Sequence, residues 1–216
     1  MSDAFSSLIS QTRTFMSELS QNNNREWFTE NKERYESQLK KPAKHLLDAI
    51  APELSKMLDQ PVTTKLFRAN RDVRFSKDKT PYTLHLHMMW SPQGNGTQPV
   101  YFFGIANDYV TTGAGLMGFD KAQQSAWRAW VSEREGDALQ SKVDAALKDG
   151  ATLRKPELKR VPSPFEKDHP RADLLRHKSL TLWKEIGTAA EAGLEAAILS
   201  TFKEFNPVMD DLRSFL

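Results

Sequence analysis

The sequence predicts an α+β protein whose central, mostly antiparallel sheet is packed by N-terminal and C-terminal helices. Apolar residues recur at helical spacing before residue 60 and in several segments after residue 120. Between these regions, short β-type runs are separated by turn-forming residues, which is typical of antiparallel strands. The 216 residues show no internal repeat and no linker, so we expect a single domain over 1–216, helical over about 1–60 and mixed over about 61–216.

Three helices are predicted in the first sixty residues. Apolar spacing predicts the first over about 3–19, and the asparagines at 22–24 end it. The second begins near Arg25 and ends near Lys40. The third runs from Pro42, a residue that suits the first helical turn, to about Leu58. Pro52 predicts a kink or a restart within this third helix.

The sequence predicts that the strands of the sheet come from the middle of the chain. Strands are expected over 62–67, 83–90, 100–105 and 109–112. A loop over 91–99 joins the second strand to the third, and residues 107 and 108 predict a hairpin turn before the fourth. Three glycines then mark a segment where backbones come close, at Gly113, Gly115 and Gly118.

The last part of the chain predicts helices over 120–135 and 137–148, which Gly136 separates and Gly150 ends. A proline-rich stretch over 151–170 predicts short strands and ordered loop. The remaining elements are a helical turn, a strand and a C-terminal helix, expected over 173–177, 179–186 and 188–205, with 207–215 extending the helix.

Composition excludes several classes of site. The chain has no cysteine, so disulfides, thiolate catalysis and cysteine-based metal centres are excluded, and we expect a reducing, cytoplasmic location. We expect no secretory signal at the start, and no apolar run approaches the roughly 18 residues of a spanning helix. The sequence pI of about 8.7 is only mildly basic, which disfavours nucleic acid as the partner of the whole protein.

The densest chemistry lies between residues 65 and 79, where six positive and two negative side chains give a local charge of +4. Arginine matters here because its planar guanidinium binds carboxylates and phosphates through two parallel hydrogen bonds. The sequence therefore predicts a polar site in this stretch. Its candidate ligand-binding residues are Arg68, Arg71, Arg74, Asp78, Lys79 and Tyr82.

Three interpretations of this stretch remain open. It can be a structural ion-pair network, in which Arg71 and Arg74 pair with acids drawn from Asp72, Asp78, Glu26 and Glu30. It can be a pocket for an anionic small molecule that carries phosphate or carboxylate groups, which is the function we favour. It can also be a basic surface that binds nucleic acid or protein.

Catalysis on such a ligand, as a hydrolase or a transferase, would need a proton-transfer group. The candidates are Asp72 and His169, although Asp168-His169-Pro170 also fits the start of a helix. His85 and His87 share one face of a strand, a spacing that can bind a metal only with a third ligand, so we predict no metal site. No motif identifies a cofactor, and the oligomeric state is not predicted.

The arginine stretch also resembles a known signature. Arg68, Arg71-Asp72, Arg74-Phe75, Asp78-Lys79 and Tyr82 are similar to the Arg-x-x-Arg-Asp-x-Arg-Phe, Asp/Asn-Lys and Tyr pattern of a widespread bacterial family of unknown function. Further resemblance lies in Asn23-Asn24-Arg25-Glu26-Trp27-Phe28, in Gly113-Ala114-Gly115, and in Asp168-His169-Pro170 with Leu174-Leu175 and Lys178. Pro162-Ser163-Pro164-Phe165 departs from the family pattern by lacking its glycine and its basic residue. The resemblance implies a shared fold and a shared site, and it supplies no activity.

Overall fold

The computed structural model describes residues 5–94 and 97–215 and confirms the α+β class. The start of the helix expected over 3–19, and residues 95 and 96 of the loop expected over 91–99, lie outside the described residues. The strands are β1 Val62–Leu66, β2 His85–Pro92, β3 Val100–Ala106, β4 Val110–Leu116, β5 Thr152–Leu153 and β6 Leu180–Glu185. These strands form an antiparallel sheet in the order β1-β2-β3-β4-β6-β5.

The helices flank the strands in the sequence. Those before the sheet are α1 Leu8–Gln21, α2 Arg25–Glu30, α3 Lys32–Arg34, a π-helical turn over Tyr35–Lys40, and α4 Lys41–Leu58. The later ones are α5 Lys121–Ser132, α6 Arg134–Lys148, α7 Ala172–Leu175, α8 Gly187–Ala192 and α9 Leu194–Ser214. Within the described ranges, no helix has the length and apolar character needed to cross a membrane.

The chain forms two compact units that alternate along the sequence. The first comprises residues up to 93, 102–112 and 185–200, and the second comprises 94–101, 113–184 and the residues from 201 onward. The single domain expected over 1–216 stays a prediction.

In the first unit, strand alternation decides which side chains are buried. Leu86, Met88 and Trp90 of β2 are almost fully buried, and α1 and α4 pack against this strand. The indole N–H of Trp90 donates to the Leu47 carbonyl of α4 at 3.0 Å, which satisfies the buried polar group. The intervening residues, among them His85 and His87, are half-buried on the other face.

The helices expected over 25–40 and 42–58 differ from the structure in two ways. The first is interrupted at Asn31 and ends in the π-helical turn rather than continuing as one α-helix. The second continues through Pro52 without a break. Pro52 is tolerated because Asp48, whose carbonyl loses its helical partner there, is exposed to solvent.

The sequence predicts that the fourth strand ends at residue 112, but β4 continues through Gly113 and Gly115 to Leu116. The continuation lies in the second unit. An added Cβ on Gly113 would meet the Trp183 ring at 2.5 Å, and one on Gly115 would meet the Leu180 carbonyl oxygen at 2.0 Å. Close backbone approach is thus confirmed at Gly115. Phe202 of α9 packs against Tyr101 of β3, with their ring centroids 5.0 Å apart.

Two predicted helix boundaries in the later part of the chain were wrong. Gly136 does not separate two helices, because α5 ends before Glu133 and Gly136 lies in the first turn of α6. The segment expected as one helix over 188–205 is divided at Gly193 into α8 and α9. Helix α9 then passes through Pro207 and ends at Ser214, as the predicted extension requires.

Candidate functional site

The arginine stretch folds back on itself between β1 and β2. The N–H of Arg71 donates to the Pro81 carbonyl, and the N–H of Thr83 donates to the Ala69 carbonyl, both at 2.8 Å. Asn70 and Tyr82 form an antiparallel bridge between these two bonds. We call residues 68–82 the motif hairpin. Because the chain reverses here, strand-like alternation does not decide where its side chains lie.

Arg71 binds the opposite arm of the motif hairpin. Its Nη1 donates to Asp78 Oδ2 at 2.5 Å and to the Thr80 carbonyl at 3.2 Å, and it also contacts the Thr80 hydroxyl. Asp78 accepts further from the Thr80 N–H at 2.9 Å. That backbone hydrogen bond, followed by the one from Arg71, lowers the pKa of Asp78 to about 2. Arg71 therefore holds the hairpin closed.

Arg74 is paired within its own arm. Its Nη2 lies 2.7 Å from Asp72 Oδ2, and its Nε lies 3.0 Å from Asp72 Oδ1. The side-chain hydrogen bonds from Arg74 hold the pKa of Asp72 below its usual value. Such a carboxylate is a weak base, which disfavours a role in proton abstraction. Lys79 donates to the Val73 carbonyl at 3.0 Å, so its ammonium is also engaged within the hairpin.

Tyr82 joins the motif hairpin to the N-terminal helices. The Asn23 side-chain amide donates to the Tyr82 carbonyl at 3.0 Å and accepts from the Tyr82 N–H at 3.1 Å. The Tyr82 ring stacks on Phe28, with centroids 3.9 Å apart and planes 12° from parallel. Two of the sequence segments that resemble the family, around Asn23 and around Tyr82, are thus in direct contact.

Arg68 alone among the six ligand-binding candidates lines a cavity of about 300 Å³, which we call the Arg68 cavity. Helix α4, the π-helical turn, α2 and the end of β1 border it. Its walls are aromatic and its charges are mostly positive: the lining includes Phe28, Tyr35 and Phe67, with Lys32, Lys40, Lys44, Glu36 and Arg68.

The charges around the Arg68 cavity are unbalanced. Glu36 is neutralised by Lys40, whose Nζ lies 2.7 Å from its carboxylate. Within the described part of the chain, Lys32, Lys44 and Arg68 form no salt bridge. Tyr35 adds a hydrogen-bond donor, because burial raises the pKa of its hydroxyl to about 12 and keeps it protonated. Among the described residues, the cavity therefore offers three cations outside salt bridges and one phenol.

Of the residues that line this cavity, only Arg68 was among the six predicted ligand-binding residues, although the sequence holds a further signal. Four of its residues follow one another at intervals of four, namely Phe28, Lys32, Glu36 and Lys40, and Lys44 continues the series. In a regular α-helix such a stripe drifts around the axis, because 3.6 residues make one turn. The wider π-helical turn over Tyr35–Lys40 offsets this drift and keeps the stripe on the cavity.

His85 and His87 stack on each other, with ring centroids 3.7 Å apart. His87 Nε2 lies 2.7 Å from the Tyr109 hydroxyl, and Gly104 leaves room for the imidazole because an added Cβ would meet it at 2.7 Å. Burial, and then the neighbouring His85, lower the pKa of His87 to about 4. Over residues 5–94 and 97–215, no group of three or more potential ligands is arranged to hold a metal ion.

His169 belongs to a segment of the second unit that Arg171 anchors. The His169 Nδ1 accepts from the Arg171 N–H at 3.1 Å, and its ring meets Phe165 edge-on at 6.1 Å. The Arg171 guanidinium donates to the carbonyls of Val131 and Ser132 at 2.6 Å each, at the end of α5. These contacts give the segment a fixed structure without engaging His169 in a carboxylate pair among the described residues.

A comparison with protein families supports the family resemblance seen in the sequence. A family model described as "Conserved hypothetical protein (DUF2461)" matches residues 11–210, a range that includes the motif hairpin and the Arg68 cavity. A comparison with curated proteins finds no match. Since the matched range spans nearly the whole chain, this protein belongs to the conserved hypothetical protein family DUF2461, whose function is unknown.

Proposed function

We propose that this protein binds an anionic small molecule, one that carries phosphate or carboxylate groups, in the Arg68 cavity. The observation that carries the proposal is the set of three cations that form no salt bridge among the described residues, Lys32, Lys44 and Arg68, around one concave surface. Cations held together without counter-charges repel one another, and a bound anion relieves that repulsion. An oxyanion would also supply acceptors for their donors.

The walls of the cavity suit a ligand with an apolar or ring-shaped body. Phe28 and Tyr35 stand 5.2 Å apart between ring centroids, and Phe67 lines the same space. The volume of about 300 Å³ lies at the lower end of typical small-molecule sites. A neighbouring cavity of about 320 Å³ shares Glu36, Lys40 and Lys44, so the positive surface extends along α4.

The motif hairpin acts in this proposal as the support of the cavity. Arg71 and Asp78 close the hairpin, and Tyr82 backs Phe28, which is one of the cavity walls. Arg68, at the base of the hairpin, contributes the direct contact with the ligand. Only Arg68 of the six sequence candidates then binds the anion, while Arg71, Arg74, Asp78, Lys79 and Tyr82 maintain the geometry.

A thermal-shift screen at low ionic strength tests the proposal. The probes are ADP, inorganic pyrophosphate and citrate, which cover phosphate and carboxylate groups with and without a ring. A ligand that binds only the folded chain raises its melting temperature. We expect at least one probe to do so in the wild type, with a smaller shift at high salt because exposed charges are screened.

A matched pair of variants makes the screen specific to this cavity. Lys32→Ala/Lys44→Ala removes two cations that line it, whereas Lys56→Ala/Lys203→Ala removes two exposed cations elsewhere. We expect the first double variant to lose most of the shift and the second to keep it. Equal shifts in both double variants would show that the effect is general charge screening, and the proposal would then be abandoned.

A second candidate function rests on Phe75, which lies in the turn of the motif hairpin and whose side chain is 96% exposed. The Arg74 guanidinium lies 5.9 Å from the centre of this ring. An exposed aromatic ring beside arginine can stack on an unpaired base, so the hairpin can act as a contact for single-stranded nucleic acid. A gel-shift titration with single-stranded DNA at low salt checks this: the alternative requires a shift that Phe75→Ala removes.

A further inference from the structure

The second unit contains a cavity of about 590 Å³ that the proposed function does not use. It lies between the proline-rich segment and α7, and we call it the Arg176 cavity. Four cations line it, namely Lys159, Arg160, Lys167 and Arg176. The one acid in its lining is Asp173, which pairs with Arg176.

Three of the four positive charges that line the Arg176 cavity are therefore not compensated by its lining acid. Over the described residues, Lys159, Arg160 and Lys167 form no salt bridge, and all three are exposed. Arg176 is itself incompletely satisfied, because its Nε is buried and has no hydrogen-bond partner within the described residues. Since this Nε is shielded from solvent, the donors that can meet a ligand are those of the exposed cations, Lys159, Arg160 and Lys167.

The backbone around the cavity is held in place. The Leu158 N–H donates to the Arg176 carbonyl at 3.1 Å, which links the two sides of the segment. On the other side, the ring of Phe165 meets His169, and the Arg171 guanidinium binds the end of α5. The cations thus stand on a fixed frame and form a concave surface, which is what a binding site requires.

We infer that the Arg176 cavity is a second anion site, which takes a small molecule with two or more negative charges on phosphate groups. Multiple charge follows from the three cations that line the cavity and form no salt bridge among the described residues. The larger volume and the Phe165 wall accommodate an organic body beside the phosphates. This site lies in a different unit from the Arg68 cavity and does not depend on it.

Isothermal titration with inorganic pyrophosphate tests this inference. The titration uses the full chain carrying Arg68→Ala, so that binding at the Arg68 cavity is suppressed. Pyrophosphate should still bind this parent, with one site per chain. Adding Arg160→Gln/Lys167→Gln should weaken binding by at least about tenfold, because two charge-assisted contacts are lost.

Two controls decide the result. Lys121→Gln/Lys203→Gln removes the same charge from exposed positions outside the cavity and should leave the dissociation constant unchanged. Circular dichroism of each variant verifies the fold, which glutamine at exposed positions preserves. The inference is overturned if the Arg68→Ala parent does not bind pyrophosphate at millimolar concentrations. It is equally overturned if both double variants lose affinity to the same extent.

Discussion

At the scale of single residues, Gly115 occupies a position that only glycine tolerates. Its φ is +149°, and an added Cβ would lie 2.0 Å from the Leu180 carbonyl oxygen. By contrast, an added Cβ on Gly118 would meet no atom within 4 Å. The sequence shows both as glycines in one short stretch, and only the partner strand β6 distinguishes them.

Gly115→Ala should therefore lower the free energy of unfolding by roughly 3 kcal/mol or more, since both the backbone conformation and the contact with β6 become strained. Gly118→Ala should change it by about 0.5 kcal/mol at most. Urea unfolding followed by circular dichroism measures both. A Gly115→Ala protein as stable as Gly118→Ala would contradict the close approach of β4 and β6.

His87 makes stability depend on pH. Its pKa falls from 6.5 to about 4 on folding, mainly through burial and then through the charge of His85. The unfolded chain therefore takes up this proton first as the pH falls. Neutral His87 therefore contributes fully to the free energy of unfolding above about pH 6.5. This contribution is lost as the pH falls from about 6.5 to about 4.

Between pH 7 and pH 5 this residue should account for a loss of about 2 kcal/mol in the free energy of unfolding. His87→Gln, which retains a group able to bond the Tyr109 hydroxyl, should reduce that loss. His45→Gln, at an exposed position, serves as the control. Unfolding curves at pH 7, 6 and 5 give the comparison, and an unchanged slope in His87→Gln would show that His87 titrates normally in the folded chain.

At the scale of elements, the Arg171 side chain connects the end of α5 to the first turn of α6. Its side chain is 11% exposed and donates to two carbonyls at the end of α5, groups that no helical N–H can reach. It also pairs with Asp137 of α6. Gly136 fits against both groups, since an added Cβ there would meet the Val131 carbonyl oxygen at 2.0 Å and the Arg171 side chain at 2.8 Å. The glycine serves this packing and does not end a helix.

Arg171→Met should lower the free energy of unfolding by about 2 kcal/mol, because two partly buried carbonyls lose a charged donor while the aliphatic volume is kept. Arg134→Met, at an exposed position at the start of α6, should have little effect. Thermal unfolding of the two variants supplies the measurement. Equal melting temperatures would mean that solvent replaces the guanidinium and that it does not anchor the segment.

The elements also show what a sequence can and cannot predict. Local signals sufficed for the strands and for most helices, because alternation and helical spacing reflect burial within one element. Boundaries failed where contacts outside the element matter. Trp183 and Leu180 pack against the glycines of β4, and the Val131 carbonyl and the Arg171 side chain pack against Gly136. The π-helical turn has no strong local signal, so residues 25–40 were expected to be one regular helix.

At the scale of the whole molecule, the candidate site illustrates the same limit. The charge density of residues 65–79 identified the region, and Arg68 does line a cavity. The hairpin pairing that turns Arg71 toward Asp78 depends on Pro81 and Thr83 folding back, which the sequence does not reveal. The other cations come from α3, the π-helical turn and α4, which the sequence did not connect to the motif. The local charge in the sequence therefore identifies the region of the site, whereas the fold determines which residues line the cavity.

The most direct test of the Arg68 cavity is a titration of the isotope-labelled protein with ADP, followed by two-dimensional amide NMR at low salt. Saturable shifts should appear at the amides of residues 66–70 and of the turn Tyr35–Lys40, which border the cavity. Arg68→Ala should weaken the binding by at least about tenfold, whereas Arg74→Ala, the same substitution in the same hairpin, should leave it unchanged. Shifts located elsewhere, or equal losses in the two variants, would contradict a binding site at Arg68.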